Sequence, residues 1–92
     1  MKSKNETMKD LLKAYRETKE AEEKADAAYE ADFENDELGD IWHEAWGAFM
    51  NAYTALANGI NAFTNGDITY REAMKLIVED FDRVAAMIDA LD

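Results

Sequence analysis

The chain contains no cysteine and no proline, a single serine, a single histidine, and four glycines among 92 residues. Each scarcity excludes something. Without cysteine there are no disulfides, thiolate metal sites or cysteine nucleophiles. Without proline nothing forces a helix to stop or kink. Ser3, the lone serine, stands three residues before Glu6 with the spacing of a capping box, which leaves no serine for nucleophilic catalysis. The scattered glycines make no phosphate-cradling loop. Residues 1–16 lack a continuous apolar run, so no secretory leader is read there.

Charge is absent from one segment and concentrated in another. Acidic residues outnumber basic ones 21 to 10, a net charge of −11. Twelve carboxylates and two lysines fall between Glu17 and Glu44, a balance of −10, whereas residues 1–16 carry +3 and residues 45–66 carry none. Such a chain repels nucleic acid and anionic membranes and attracts basic partners. The uncharged segment has the length of a membrane span. Its Asn51, Thr54, Asn58, Asn61 and Asn65 argue against one, because lipid would leave their polar groups unpaired. A soluble, cytoplasmic protein that touches neither nucleic acid nor membrane directly is expected.

What is present is helical pattern. With 48% apolar residues the chain has material for one domain with a modest core. Leu11, Ala14, Tyr15, Thr18, Ala21, Ala25, Ala28 and Tyr29 form one stripe, with Met8, Leu12 and Phe33 widening it near the ends. They predict a helix over about 5–32, with 1–4 frayed. Asn35-Asp36 signals the next start. Trp42, Phe49, Leu56 and Phe63, flanked by the Leu38/Ala45/Ala52/Gly59 and Trp46/Tyr53/Ile60 series, predict a broadly apolar helix over 36–63 with neighbours on two sides. Asn65-Gly66 ends it. Thr69 and Glu72 open a third helix over 70–91, whose seam of Tyr70, Met74, Ile77, Phe81, Val84, Ile88 and Leu91 has coiled-coil spacing. Short connections make successive helices antiparallel. The expected fold is all-α, an elongated up-down-up bundle of three helices in a single domain.

Three features carry functional readings. The first is an acidic corner at the junction of helices 1 and 2, made of Glu30, Asp32, Glu34, Asp36, Glu37 and Asp40. Acids opening helix 2 suit its dipole, but acids ending helix 1 oppose it. A basic protein partner, including one that itself binds nucleic acid, would offset that repulsion. The alternation Asp32, Glu34, Asp36 has the look of a Ca²⁺ loop, but Glu37 stands where glycine is needed and His43 where the closing glutamate belongs.

The second feature is a pair of carboxylate pairs, Glu20 with Glu23 and Glu37 with Asp40, each spanning one helical turn. The string Glu37-Leu38-Gly39-Asp40-Ile41 resembles the second metal motif of the all-α nucleotide pyrophosphohydrolases of the MazG kind, which pair an E-x-x-E helix with an E-x-x-D helix. The resemblance implies Mg²⁺ held by Glu20, Glu23, Glu37 and Asp40 and hydrolysis of a nucleoside triphosphate. It covers about a quarter of the chain.

The third feature is the uncharged polar stripe of helix 2, flanked by aromatic and methionine side chains. Charge depletion beside such residues is the composition of an interface core. Trp46, Met50, Asn51, Tyr53, Thr54 and Asn58 are the residues this reading selects, for a homodimer or a docked helix. Two single residues stand apart. Glu22 falls between Tyr15 and Tyr29 on the apolar side of helix 1, where it is solvated at the edge or bonded by a tyrosine hydroxyl. His43 lies at the edge of the apolar arc beside Trp42 and Trp46, with no nucleophile to serve.

The reading that needs fewest assumptions is a small, acidic, non-enzymatic binding protein without cofactor or metal. Its carboxylate surface would dock a basic protein, as in phage-type inhibitors and nucleic-acid mimics of the anti-CRISPR and anti-restriction class, to which the chain is similar in class rather than in motif. The alternatives are the Mg²⁺-dependent hydrolase and a homo-oligomeric structural bundle.

Overall fold

Capping chemistry sets where the helices begin. The computed structural model describes residues 3–90, with α1 over Lys4–Ala31, α2 over Asp36–Phe63, α3 over Tyr70–Glu79 and α4 over Phe81–Asp89. Ser3 caps α1 by accepting the Glu6 N–H at 3.2 Å. Of residues 1–4, expected to be frayed, Ser3 is the N-cap and Lys4 the first residue of α1, and Met1 and Lys2 lie outside the described residues. Asn35 Oδ1 accepts the N–H groups of both Glu37 and Leu38 and so opens α2. Thr69 Oγ1 accepts the Glu72 N–H and donates to the Glu72 carboxylate. At the end of α2, Asn65 and Gly66 take positive φ values of 54° and 87°, and the Gly66 N–H closes on Asn61 O at 2.9 Å. That is the left-handed termination the Asn-Gly pair predicts.

The expected third helix is two helices. The chain leaves helical geometry at Asp80, with φ −146° and ψ 57°, and restarts at Phe81. The apolar seam continues across the break, with Ile77, Val84 and Ile88 all buried. Leu91, its predicted last member, lies outside the described residues. Three acids within four residues, Glu79, Asp80 and Asp82, crowd the point where α3 ends. Acids oppose the dipole of a helix C-terminus, and Asp favours caps over helix interiors. Among the described residues the fold is accordingly an all-α arrangement of four helices rather than a three-helix bundle.

The break decides what is covered. α2 packs on α1 and α3, whereas α4 packs on α1 and α3. Buried side chains come from Met8, Leu12 and Tyr15 of α1, Leu56, Ala57 and Ile60 of α2, Ala73 and Ile77 of α3, and Val84, Ala85 and Ile88 of α4. None lies between residues 16 and 55. The core is therefore a four-helix base, and the rest of the α1–α2 hairpin extends past it as a two-helix arm. An uninterrupted helix over 70–91 would have run along that arm. The break folds its second half onto α1 instead. The molecule measures 46 × 27 × 18 Å, and the arm accounts for about 20 Å of the long axis at 1.5 Å rise per residue.

An aromatic cluster closes the base where the arm begins. Tyr15 packs against Phe49 at 5.4 Å, Tyr53 at 6.0 Å and Phe81 at 5.2 Å between ring centroids. The Arg16 guanidinium lies over Phe81 at 5.5 Å. Burial pushes the Tyr15 phenol up, with Tyr53 and Glu23 adding to the shift, and burial likewise raises Tyr53. Beyond this cluster few contacts hold the arm, so amide exchange in residues 20–46 is expected to be at least tenfold faster than in residues 56–60 and 84–88. Residue-resolved exchange by NMR checks this. Equal protection along α2 would show an arm as stable as the base.

Gly47 lies in the interior of α2, and a Cβ there would meet no atom within 4 Å. Gly47→Ala is therefore expected to stabilise the protein by about 0.5–1 kcal/mol. Thermal unfolding of the variant measures it, and a lowered midpoint would contradict the open space seen there.

Candidate functional site

The arm holds a ladder of rings set on a carboxylate frame. Tyr29 of α1 stacks on Trp42 of α2, with centroids 6.1 Å apart and planes 20° apart. The Trp42 indole N–H donates to Glu22 Oε1 at 3.1 Å. Glu22 is thus half-buried on the α1 stripe with an indole as its partner, where a tyrosine hydroxyl or solvent was expected. This pairing explains a second departure. The inward face of outer α1 runs through Thr18, Glu22, Ala25, Asp26 and Tyr29, whereas Ala21 and Ala28 face solvent. Met8 and Leu12, expected at the margin of the stripe, are core residues.

His43 is exposed and stacks on Trp46 at 6.1 Å with planes 27° apart, and its ring also lies 6.4 Å from Trp42. Tyr29, Asp36, Gly39, Asp40, Trp42 and His43 line an open recess of about 560 Å³. The arm also leaves large apolar side chains in water. Phe33 is 69% exposed, Ile41 49% and Trp46 43%.

All six residues of the expected acidic corner are exposed at the tip of this arm. Glu30 lies in the last turn of α1, Asp32 is its C-cap, Glu34 lies in the turn, Asp36 and Glu37 lie in the first turn of α2, and Asp40 follows one turn later. No basic residue stands in the last turn of α1 to balance them. Asn35 Nδ2 donates to Asp32 Oδ2 at 3.4 Å, which orders the turn without neutralising it.

The two carboxylate pairs do not meet. Hairpin register places Gly39 against Tyr29 and Trp42 against Glu22. Glu37 therefore sits near the level of Tyr29 and Asp40 between Tyr29 and Glu23, while Glu23 and Glu20 lie about 9 and 14 Å down α1 from Tyr29 at 1.5 Å per residue. Glu20 instead pairs with Lys24 at 3.1 Å on the solvent side. Among the described residues no three acid or histidine side chains converge to hold a metal ion. The hydrolase reading lacks its ligand set for this geometric reason.

The interface residues read from α2 divide. Trp46, Asn51 and Asn58 are exposed, and Met50 and Thr54 are half-buried. Tyr53 departs from the expectation: its hydroxyl donates to Met74 O at 2.8 Å and its ring joins the aromatic cluster, so it holds α3 in place. Asn61, on the same polar stripe, likewise donates to Ile68 O at 2.8 Å and fixes the α2–α3 connection. A second recess, of about 220 Å³, lies at the base between Met8, Leu11, Gly59 and Phe63, with Lys4 and Thr7 at its edge, and its lining is mostly apolar. Gly59 marks close helix approach there, because a Cβ would sit 2.6 Å from Leu11 Cδ1.

Sequence reasoning did not find the Tyr29–Trp42–Glu22 unit. The signal was the heptad position of Trp42, which faces α1 two turns up from Phe49. No described helix is long and apolar enough to cross a membrane. Comparison with known protein families, curated proteins and solved structures finds no match.

Proposed function

We propose that this chain is a small non-enzymatic binding protein whose arm docks a basic protein partner. The observation that supports the reading is the placement of charge. The segment with a balance of −10 forms the part of the hairpin that contributes no buried side chain, while α3 and α4 enclose the base without it. A stretch built mainly for stability would pack its tryptophans. This one leaves Ile41 in water beside carboxylates, and Trp46 just past its end is exposed as well.

Rings and carboxylates together suit Lys and Arg side chains. Single exposed ion pairs contribute at most about 1 kcal/mol, so a useful affinity requires several of them. A cation over an aromatic face adds about 0.5–2 kcal/mol. Glu30, Asp32, Glu34, Asp36, Glu37 and Asp40 supply the charge within one surface, and Tyr29, Trp42, His43 and Trp46 supply the rings. In this role the arm competes with nucleic acid for a basic groove, as phage-type inhibitors of the anti-CRISPR and anti-restriction class do.

The test is capture from lysate by immobilised native protein, followed by a salt gradient. The expected result is one nucleic-acid-binding basic protein, retained at about 50 mM salt, released by about 0.5 M, and displaced by added duplex nucleic acid. Retention that ignores both salt and nucleic acid would contradict the proposal.

A further inference from the structure

The flank of α2 that receives α3 does not stop where α3 stops. Tyr53 and Asn61 hold α3 and its leading turn. Stepping back along α2 by heptads, Tyr53 is followed by Trp46 and Gly39, and Asn61 by Thr54, Gly47 and Asp40. Ala57, which is buried, leads in the same way to Met50, His43 and Asp36. The groove filled by α3 at the base therefore continues up the arm, lined by Trp46, His43, Asp36 and Asp40. Among the described residues nothing covers it there, because the break at Asp80 sends α4 onto α1.

The geometry points to a basic amphipathic helix of a partner protein as the occupant of this groove, lying where an unbroken α3 would have continued. The inference rests on the binding role proposed above and specifies its mode. Its apolar centre is Trp46 with the edges of Trp42 and His43, a shape that takes residues at i, i+3, i+4 and i+7 of a docked helix. Asp36 and Asp40 of α2 line the groove and select Lys and Arg on the flanks of that helix. The same charge opposes a second copy of this chain, whose arm would meet its own sign. An arm of about 20 Å matches a partner segment of about 13 residues at helical rise.

Trp42 and Trp46 are the only tryptophans and both stand on the arm, so intrinsic fluorescence reads the groove directly. The probe is an 18-residue peptide of Leu, Ala and Lys with its leucines on one helical face. Its control has the same composition scrambled so that the leucines spread around the helix. At low salt the patterned peptide is expected to blue-shift the emission and bind at least tenfold more tightly than the control. Trp46→Ala is expected to remove that tenfold preference. Equal affinity for both peptides would overturn the groove and leave the acidic-surface reading in place. Binding of neither peptide would overturn both. Sedimentation of the native protein as a dimer, dissociated by Trp46→Ala, would assign the face to a second copy and overturn the inference.

Discussion

Replacing Ile60 with alanine is expected to lower the free energy of unfolding by about 3 kcal/mol, within the 2–5 kcal/mol typical of large-to-small changes in a packed core. Replacing Trp46 with alanine is expected to change it by less than about 0.5 kcal/mol. Tryptophan is the larger side chain, so size alone would order the two the other way. Burial decides. Ile60 has no solvent exposure and sits among Leu56, Ala57 and the buried faces of α1, α3 and α4. Truncation there removes transfer free energy and leaves a cavity that four helices cannot all close. Trp46 stands on the arm, 43% exposed, with His43 as its ring partner. Domains of this size are held by about 5–15 kcal/mol, so Ile60→Ala removes a large share and Trp46→Ala almost none. Chemical denaturation of the two variants measures the contrast. Comparable losses would mean that the arm is part of the cooperative core.

Charge reversal on the arm is expected to act in the opposite sense, abolishing binding while leaving the fold intact. Lys at positions 30, 32, 34, 36 and 37 replaces five exposed carboxylates at the junction of α1 and α2. At the C-terminal end of α1 the change is favourable, because cations there complement the helix dipole and the native end has no basic residue in its last turn. At the start of α2 it is unfavourable for the same reason, since Asp36 and Glu37 occupy the first turn. The two effects, each a few tenths of a kcal/mol per charge, largely cancel. Relief of repulsion among crowded acids tips the balance towards unchanged or slightly higher stability. Binding has no such compensation. Five lost pairs of about 0.5 kcal/mol each amount to nearly a hundredfold in affinity, and like charges facing a basic partner add further repulsion. The expected outcome is a folded protein that no longer captures its partner.

How much of this was legible in the sequence depends on whether a residue signals locally or through its neighbours. The α2 bounds at Asp36 and Phe63 follow from Asn35 and from Asn65-Gly66, whose side chains and backbone preferences act within a few residues. The acidic tip of the hairpin was equally legible, because charge runs are exposed by default. The division of the last helix was not. Its seam keeps helical spacing through Phe81, Val84 and Ile88, and neither glycine nor proline marks Asp80. Only the crowding of Glu79, Asp80 and Asp82 hinted at a stop. The inward face of outer α1 was misread for a different reason. A stripe drawn through alanines avoids placing a carboxylate inside, yet Glu22 lies inside because the Trp42 indole meets it. That contact spans 20 residues and depends on hairpin register, which the sequence of α1 alone does not contain. The uncovered groove follows from both, since it exists only where α3 has ended and where Trp46 is left facing outwards beside the Trp42–Glu22 pair.

The most direct test of the account is a paired measurement on the five-lysine variant, its thermal unfolding midpoint and its capture of the partner retained by the native protein. The account predicts a midpoint equal to or above that of the native chain and no capture at about 50 mM salt, where surface electrostatics are strongest. Capture undiminished in a folded variant would show that the carboxylates of the arm do not mediate binding, and the central claim would fail.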